Sequence, residues 1–176
     1  MTIRNDTGYI GRPFHGHVPN VIIGRGLEYD AVREQIVVEA GGSVQVDATL
    51  HRVLDTTGLL SGDFHVHAIN SPDAQVENRR RVRSFLAEGV DVLVATDHDY
   101  ITDMTPFVVA EKAQSRLISI PGVEVTPFDY GHFNCFPLKP DPADLTGGAL
   151  DWAGGDGDGL DPPAIRATMS KRGDGM

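Results

Sequence analysis

"VDVLVATDHD", residues 90–99, decides how the rest of the chain is read. Its first half is an almost unbroken apolar run, the composition of a strand covered on both faces. A strand with one wet face would alternate apolar and polar residues instead. The second half turns abruptly polar, with Asp97, His98 and Asp99 placed where the strand should end. In parallel α/β sheets the carboxyl ends of strands are where binding sites are built. The stretch therefore predicts a buried strand that delivers ionisable groups to one end of a sheet.

The flanking segments extend that pattern. Upstream, "DFHVH" (63–67) reads as a strand and "SPDAQVENRRRVRSFLAEG" (71–89) as a helix. Ser71 can cap it, Pro72 suits its first turn and Gly89 ends it. Val82, Phe85 and Leu86 make its apolar stripe, while Arg79, Arg80, Arg81 and Arg83 mostly face out. Downstream, "TPFVVAEKAQS" (105–115) reads as a helix, "RLISIPGVEV" (116–125) as a third strand and "GHFNCFPL" (131–138) as a fourth. Alternating strands and helices argue for a parallel α/β architecture, either an open sheet or a barrel.

Residues 1–57 have a different grammar. "NVIIG", "EQIVVEA" and "SVQVDATLHRVL" are short apolar alternations between glycine-containing turns, which predicts a β-rich N-terminal segment, part of a small β-domain. Val44, Val46 and Ala48 would share one face, and Gln45, Asp47 and Thr49 the other. Residues 58–176 make the second domain. Within it, 139–163 is rich in Gly, Asp and Pro and reads as a loop or lid without a core element, and "PPAIRATMSKRG" (162–173) starts one more helix.

Twenty-five acidic residues against fifteen basic ones give a net charge of −10. Such a chain repels phosphate backbones and anionic bilayers, so neither nucleic acid nor membrane is an expected partner. The single cysteine, Cys135, excludes an internal disulfide and a thiolate zinc cluster. The first residues show no apolar signal region and no long hydrophobic run follows, so a soluble, cytoplasmic protein is expected. Nothing in the sequence sets the oligomeric state.

The chemistry lies in the histidines. At this histidine content roughly 0.3 His-x-His spacings arise by chance, and the motif alone is weak. Two occur, His15/His17 and His65/His67. The first pair flanks a glycine between prolines, which reads as solvated loop. The second sits on a predicted strand with Phe64 and Val66 turned to the opposite, apolar layer, and is read equally well as a ligand pair or as two hydrogen-bonded core histidines. Context favours ligands. Asp97 and His98 end one apolar strand, Glu124 closes another, and His132 starts the next. An ionisable group left there near the core is costly unless paired or metal-bound. Asp73 fits either of two readings: a carboxylate favoured by the helix dipole, or a ligand folding back toward His67. A nitrogen and oxygen donor set without thiolate suits Zn, Mn or Fe. Several such ions, bridged by a glutamate, generate a bound hydroxide for hydrolysis, most naturally of a phosphoester.

Four separated stretches, "GDFHVHAINSPD", "AEGVDVLVATDHD", "PGVEVT" and "GHFNCFPL", together resemble the PHP (polymerase and histidinol phosphatase) metallohydrolases, and most of all their carbaryl hydrolase-like branch. The resemblance spans about residues 58–170. It implies a distorted (β/α)7 barrel, present here in part, with up to three metal ions at the strand ends. Residue by residue, it implies His65 and His67 on a first ion, Glu124 bridging to a second held by His132, and Asp73 with His98 on a third. Asp97 and Asp99 would orient the His98 imidazole, and Asn134 would contact substrate or support His132. The implied substrates are small phosphoesters, or carbamates and esters in a variant of the same chemistry. The family carries further histidine ligands downstream, in Asn-His-Pro-like and Asp-x-His motifs. No histidine follows His132. The chain is therefore expected to be a partial sequence of such a domain, either from an active enzyme or a non-catalytic metal-binding remnant.

Overall fold

The computed structural model of the chain describes residues 2–4, 20–38, 41–153 and 159–172. The chain forms two compact units, Met1–Thr57 and Gly58–Met176.

In the first unit the strands are short: β1 (Thr2–Arg4), β2 (Asn20–Ile23), β3 (Val32–Gln35) and β4 (Ser43–Gln45). They pair antiparallel as two ribbons, β1 with β4 and β2 with β3. The expected alternation holds as far as Val46, which is buried between exposed Gln45 and Asp47, and then fails because Ala48 is exposed. The strand expected over 34–40 lies earlier. Pairing from Ile23 with Val32 to Asn20 with Gln35 uses up the partner strand at Gln35. Asp30 fastens the segment after β4, accepting the His51 N–H at 2.8 Å and lying 3.0 Å from its Nδ1. His15 and His17 lie outside the described residues.

The second unit holds β5 (Gly62–Val66), α1 (Asn78–Glu88), β6 (Val92–Ala95), α2 (Thr105–Ala110), β7 (Ile118–Pro121), β8 (Val123–Val125), β9 (Phe133–Cys135) and α3 (Pro162–Ser170). β5, β6 and β7 form a parallel sheet with β6 in the middle. The apolar run behaves as its composition requires: Leu93, Val94 and Ala95 are fully buried. Leu93 and Ala95 pack with Val66, with Val82 and Phe85 of α1, and with Val108 of α2. Each large side chain so buried contributes about 1.5–3 kcal/mol. Phe64, expected in the same apolar layer as Val66, is instead 53% exposed.

Two helices are shorter than their sequence patterns. α1 begins at Asn78 rather than Ser71, and its far end is the left-handed Gly89, as expected. The Ser71 hydroxyl, free to cap in the sequence, is taken up by other groups described below. α2 ends at Ala110, before Lys112 turns left-handed at φ 52°.

The expected partial (β/α)7 barrel is corrected. No barrel closes among the described residues; the unit is mixed α/β, with short strands in small sheets and three helices. The third predicted strand breaks at Gly122, where a Cβ would stand 2.8 Å from the backbone oxygens of both Ala95 and Cys135. Beyond it, β8 pairs antiparallel with β9. A further parallel strand needs a crossover of a dozen or more residues. The link 126–132 is too short for one and makes a hairpin instead.

Val123 and Val125 of that hairpin pack with Leu138, Leu150, and Ile165 and Met169 of α3, so the glycine-rich segment does contribute a core residue, Leu150. α3 is capped by Asp161, whose carboxylate accepts the Ala164 N–H at 2.9 Å. Among the described residues no helix is long and apolar enough to cross a membrane.

Candidate metal centre

The strand ends of the second unit are tied together by a buried carboxylate. Asp97, fully buried, accepts the N–H of Ala68 at 2.5 Å and the hydroxyl of Thr102. The chain leaving β5 is thereby fixed to the chain leaving β6. The residues that follow β6 continue toward the hairpin: Asp99 donates its N–H to the Glu124 carbonyl at 3.0 Å, and Glu124 N–H reaches the Asp97 carbonyl at 3.2 Å.

These ties bring six side chains around an open depression of about 420 Å³: His65, His67, Asp73, His98, Glu124 and His132. Glu124 is at its floor, with its side chain only 4% exposed. Its Oε2 lies 2.9 Å from His65 Nε2 and 2.8 Å from His67 Nε2, and its Oε1 lies 2.8 Å from His132 Nδ1. His67 and His98 are mostly covered, at 16% and 15% exposed, while His65 and His132 form the rim at 53% and 48%. Consecutive rings of His65, His67, His98 and His132 stand 4.7–5.1 Å apart.

Asp73 closes the side opposite Glu124. Its Oδ1 accepts the Ser71 hydroxyl at 2.7 Å and lies 3.0 Å from His67 Nδ1, and its Oδ2 lies 3.6 Å from His98 Nε2. The Ser71 hydroxyl and His67 hold its carboxyl down at about 2. Burial pushes the Glu124 carboxyl up, but the hydrogen bonds to His65 and His132 and the nearby His98 outweigh it, and it ends below its ordinary value. Both carboxylates are therefore ionised at neutral pH and present only acceptor oxygens.

Three sets of these residues have ligand atoms within 4.8 Å of one another: His65, His67 and Glu124; His67, Asp73 and His98; and His98, Glu124 and His132. Imidazole nitrogens converging with ionised carboxylate oxygens are the donor chemistry of a divalent cation, and the residues fit such an ion. The one thiol offers nothing softer, since burial pushes Cys135 up and away from the thiolate.

The remaining sequence candidates stand elsewhere. Asp97 holds the two loops together as described. Asp99 Oδ1 accepts the Thr126 N–H at 3.1 Å and Trp152 Nε1–H at 3.0 Å. Asn134, exposed on β9, lines a separate, larger cavity between β9 and α3. Sequence reasoning missed Ser71 and Thr126, whose hydroxyls touch His67 and His98 at 3.0 and 2.7 Å. Their only signal was position, a hydroxyl residue within four residues of a ligand. Comparisons with protein-family models, with curated proteins and with solved structures gave no match.

Proposed function

We propose that the second unit is a metal-dependent hydrolase with the chemistry of the PHP class, acting on small phosphoesters. The observation that carries this reading is the Glu124 carboxylate, buried and shared by imidazoles on both of its oxygens. A structural ion pair needs one partner; a carboxylate with each oxygen facing a different set of nitrogens suits a bridge between two cations. His65 and His67 would hold an ion with Glu124 Oε2, and His132 one with Oε1. His98 and Asp73 offer a further pair of donors. With an ion bound, His67 would carry its proton on Nδ1, facing Asp73 Oδ1, and give its Nε2 lone pair on the Glu124 side. Among the described residues, the depression is lined by no lysine or arginine. When bound, Zn, Mn or Fe ions would supply the positive charge that this lining lacks, acidify water at neutral pH and offset charge developing on a phosphoryl group. The open rim at His65 and His132 admits a small substrate from one side.

The test is metal content after purification, together with turnover of an aryl phosphate and of an aryl carbamate. Bound divalent metal with phosphatase activity that His98→Ala and Glu124→Ala each abolish is the expected result. Activity on the carbamate alone moves the substrate class to carbamates and esters. Sub-stoichiometric metal with no turnover of either compound overturns the reading.

A further inference from the structure

We propose that Thr126 is a positioning residue that fixes the tautomer of His98 and so assigns this histidine to Asp73 rather than to Glu124, an inference that rests on reading the cluster as a metal centre. The His98 ring stands between two carboxylates. Its Nδ1 is 3.6 Å from Glu124 Oε2 and its Nε2 is 3.6 Å from Asp73 Oδ2. Equal distances mean that the carboxylates do not choose between the two nitrogens. A neutral imidazole has one N–H and one lone pair, so something else must.

Thr126 Oγ1 breaks the tie. It lies 2.7 Å from His98 Nδ1 and 2.9 Å from the backbone oxygen of Glu124. The hydroxyl has a single hydrogen, and a carbonyl oxygen can only accept. If that hydrogen went to His98, lone pairs on the hydroxyl and on the carbonyl would face each other at 2.9 Å with nothing between them. With the hydrogen on the carbonyl, the hydroxyl accepts, and His98 carries its proton on Nδ1. The main chain that carries this hydroxyl is held beside His98, because the Thr126 backbone N–H donates to Asp99 Oδ1 at 3.1 Å.

The consequence is that the overlapping donor sets do not stand equally. His98 approaches Glu124 through the protonated Nδ1, which has no lone pair to give. It approaches Asp73 through Nε2, which does. The geometry therefore divides the cluster into a Glu124 side and an Asp73–His98 side, with Thr126 as the element that keeps them apart.

Nitrogen-15 NMR of histidine-labelled, metal-free protein reads the tautomer directly, above about pH 8 where an unperturbed imidazole is neutral. His98 is expected as the Nδ1–H form in the wild type and in Thr126→Ser, and without that preference in Thr126→Val. In zinc titrations, Thr126→Val should weaken about 10–100-fold the same binding event that Asp73→Asn weakens, as loss of a ligand's hydrogen-bond partner does. An Nε2–H form in the wild type overturns the proposal whether or not the variants fold, and so does a tautomer unchanged in Thr126→Val. The tautomer is measured without metal or substrate. An Nδ1–H His98 in a protein without turnover leaves this inference standing and sinks the hydrolase, and turnover with an Nε2–H His98 does the reverse.

Discussion

The buried carboxylate of Asp97 accepts the backbone N–H of Ala68 at 2.5 Å, across a sequence separation of 29 residues. With the Thr102 hydroxyl on its other oxygen, each oxygen of this carboxylate has a donor. Asp97→Asn should turn an amide N–H₂ toward one of them, leaving a buried donor unpaired at a cost of about 1–3 kcal/mol. Urea denaturation measures that loss. Zinc stoichiometry should stay at the wild-type value, because Asp97 offers no ligand atom; a lost ion would mean that it does.

Gly122 is a second place where backbone leaves no room. Its Cβ position lies 2.8 Å from the carbonyl oxygens of Ala95 and Cys135, which are backbone and cannot rotate aside. Gly122→Ala should therefore destabilise the second unit by about 1–3 kcal/mol, the usual range for overpacking. Since Glu124 follows two residues later, the variant should also weaken metal binding. A variant as stable as the wild type in chemical denaturation would show that the backbones of Ala95 and Cys135 can move apart there.

A third prediction concerns acid. Asp144 accepts the Thr146 hydroxyl at 2.6 Å and the N–H groups of Thr146 and Gly148 at 2.7 and 3.1 Å. These bonds, the hydroxyl first, hold its carboxyl below the ordinary 3.8. A carboxyl lower in the folded than in the unfolded chain stabilises the fold above its unfolded value, and that contribution fades as pH falls through the folded value. The loop matters to the site because the Thr146 carbonyl accepts the Ile101 N–H at 2.9 Å, just beyond His98 and Asp99. NMR titration should place Asp144 below 3.8 in the wild type and closer to 3.8 in Thr146→Val. A wild-type Asp144 titrating at or above that value would remove the loop's anchor from the account.

What the sequence made legible follows from which patterns have a single physical solution. The run 92–95 has the composition of a strand covered on both faces, and it forms one with Leu93, Val94 and Ala95 fully buried. Ser71 was ambiguous, because Ser-Pro-Asp caps a helix or makes a turn with equal ease. Of the partners that decide it, His67 and Asp73 are near in sequence but compatible with either reading, and the His98 N–H comes from 27 residues away. Strand–helix alternation left open sheet and barrel undecided, and the barrel was what the family resemblance implied; the link 126–132 is too short for a further crossover and makes a hairpin instead. The six donors singled out in the sequence lie around one depression. The hydroxyls that orient them left no pattern, since serine and threonine near a ligand are ordinary.

Glu124 joins the most distant and the most local parts of this arrangement. One oxygen meets His65 from 59 residues away, and the other meets His132 from 8. The near contact needs only the hairpin, whereas the far one must wait for loop closure across the whole parallel sheet. The cluster thus reports on tertiary order: a chain with its strands formed but misaligned would keep the hairpin half of the site and lose the rest.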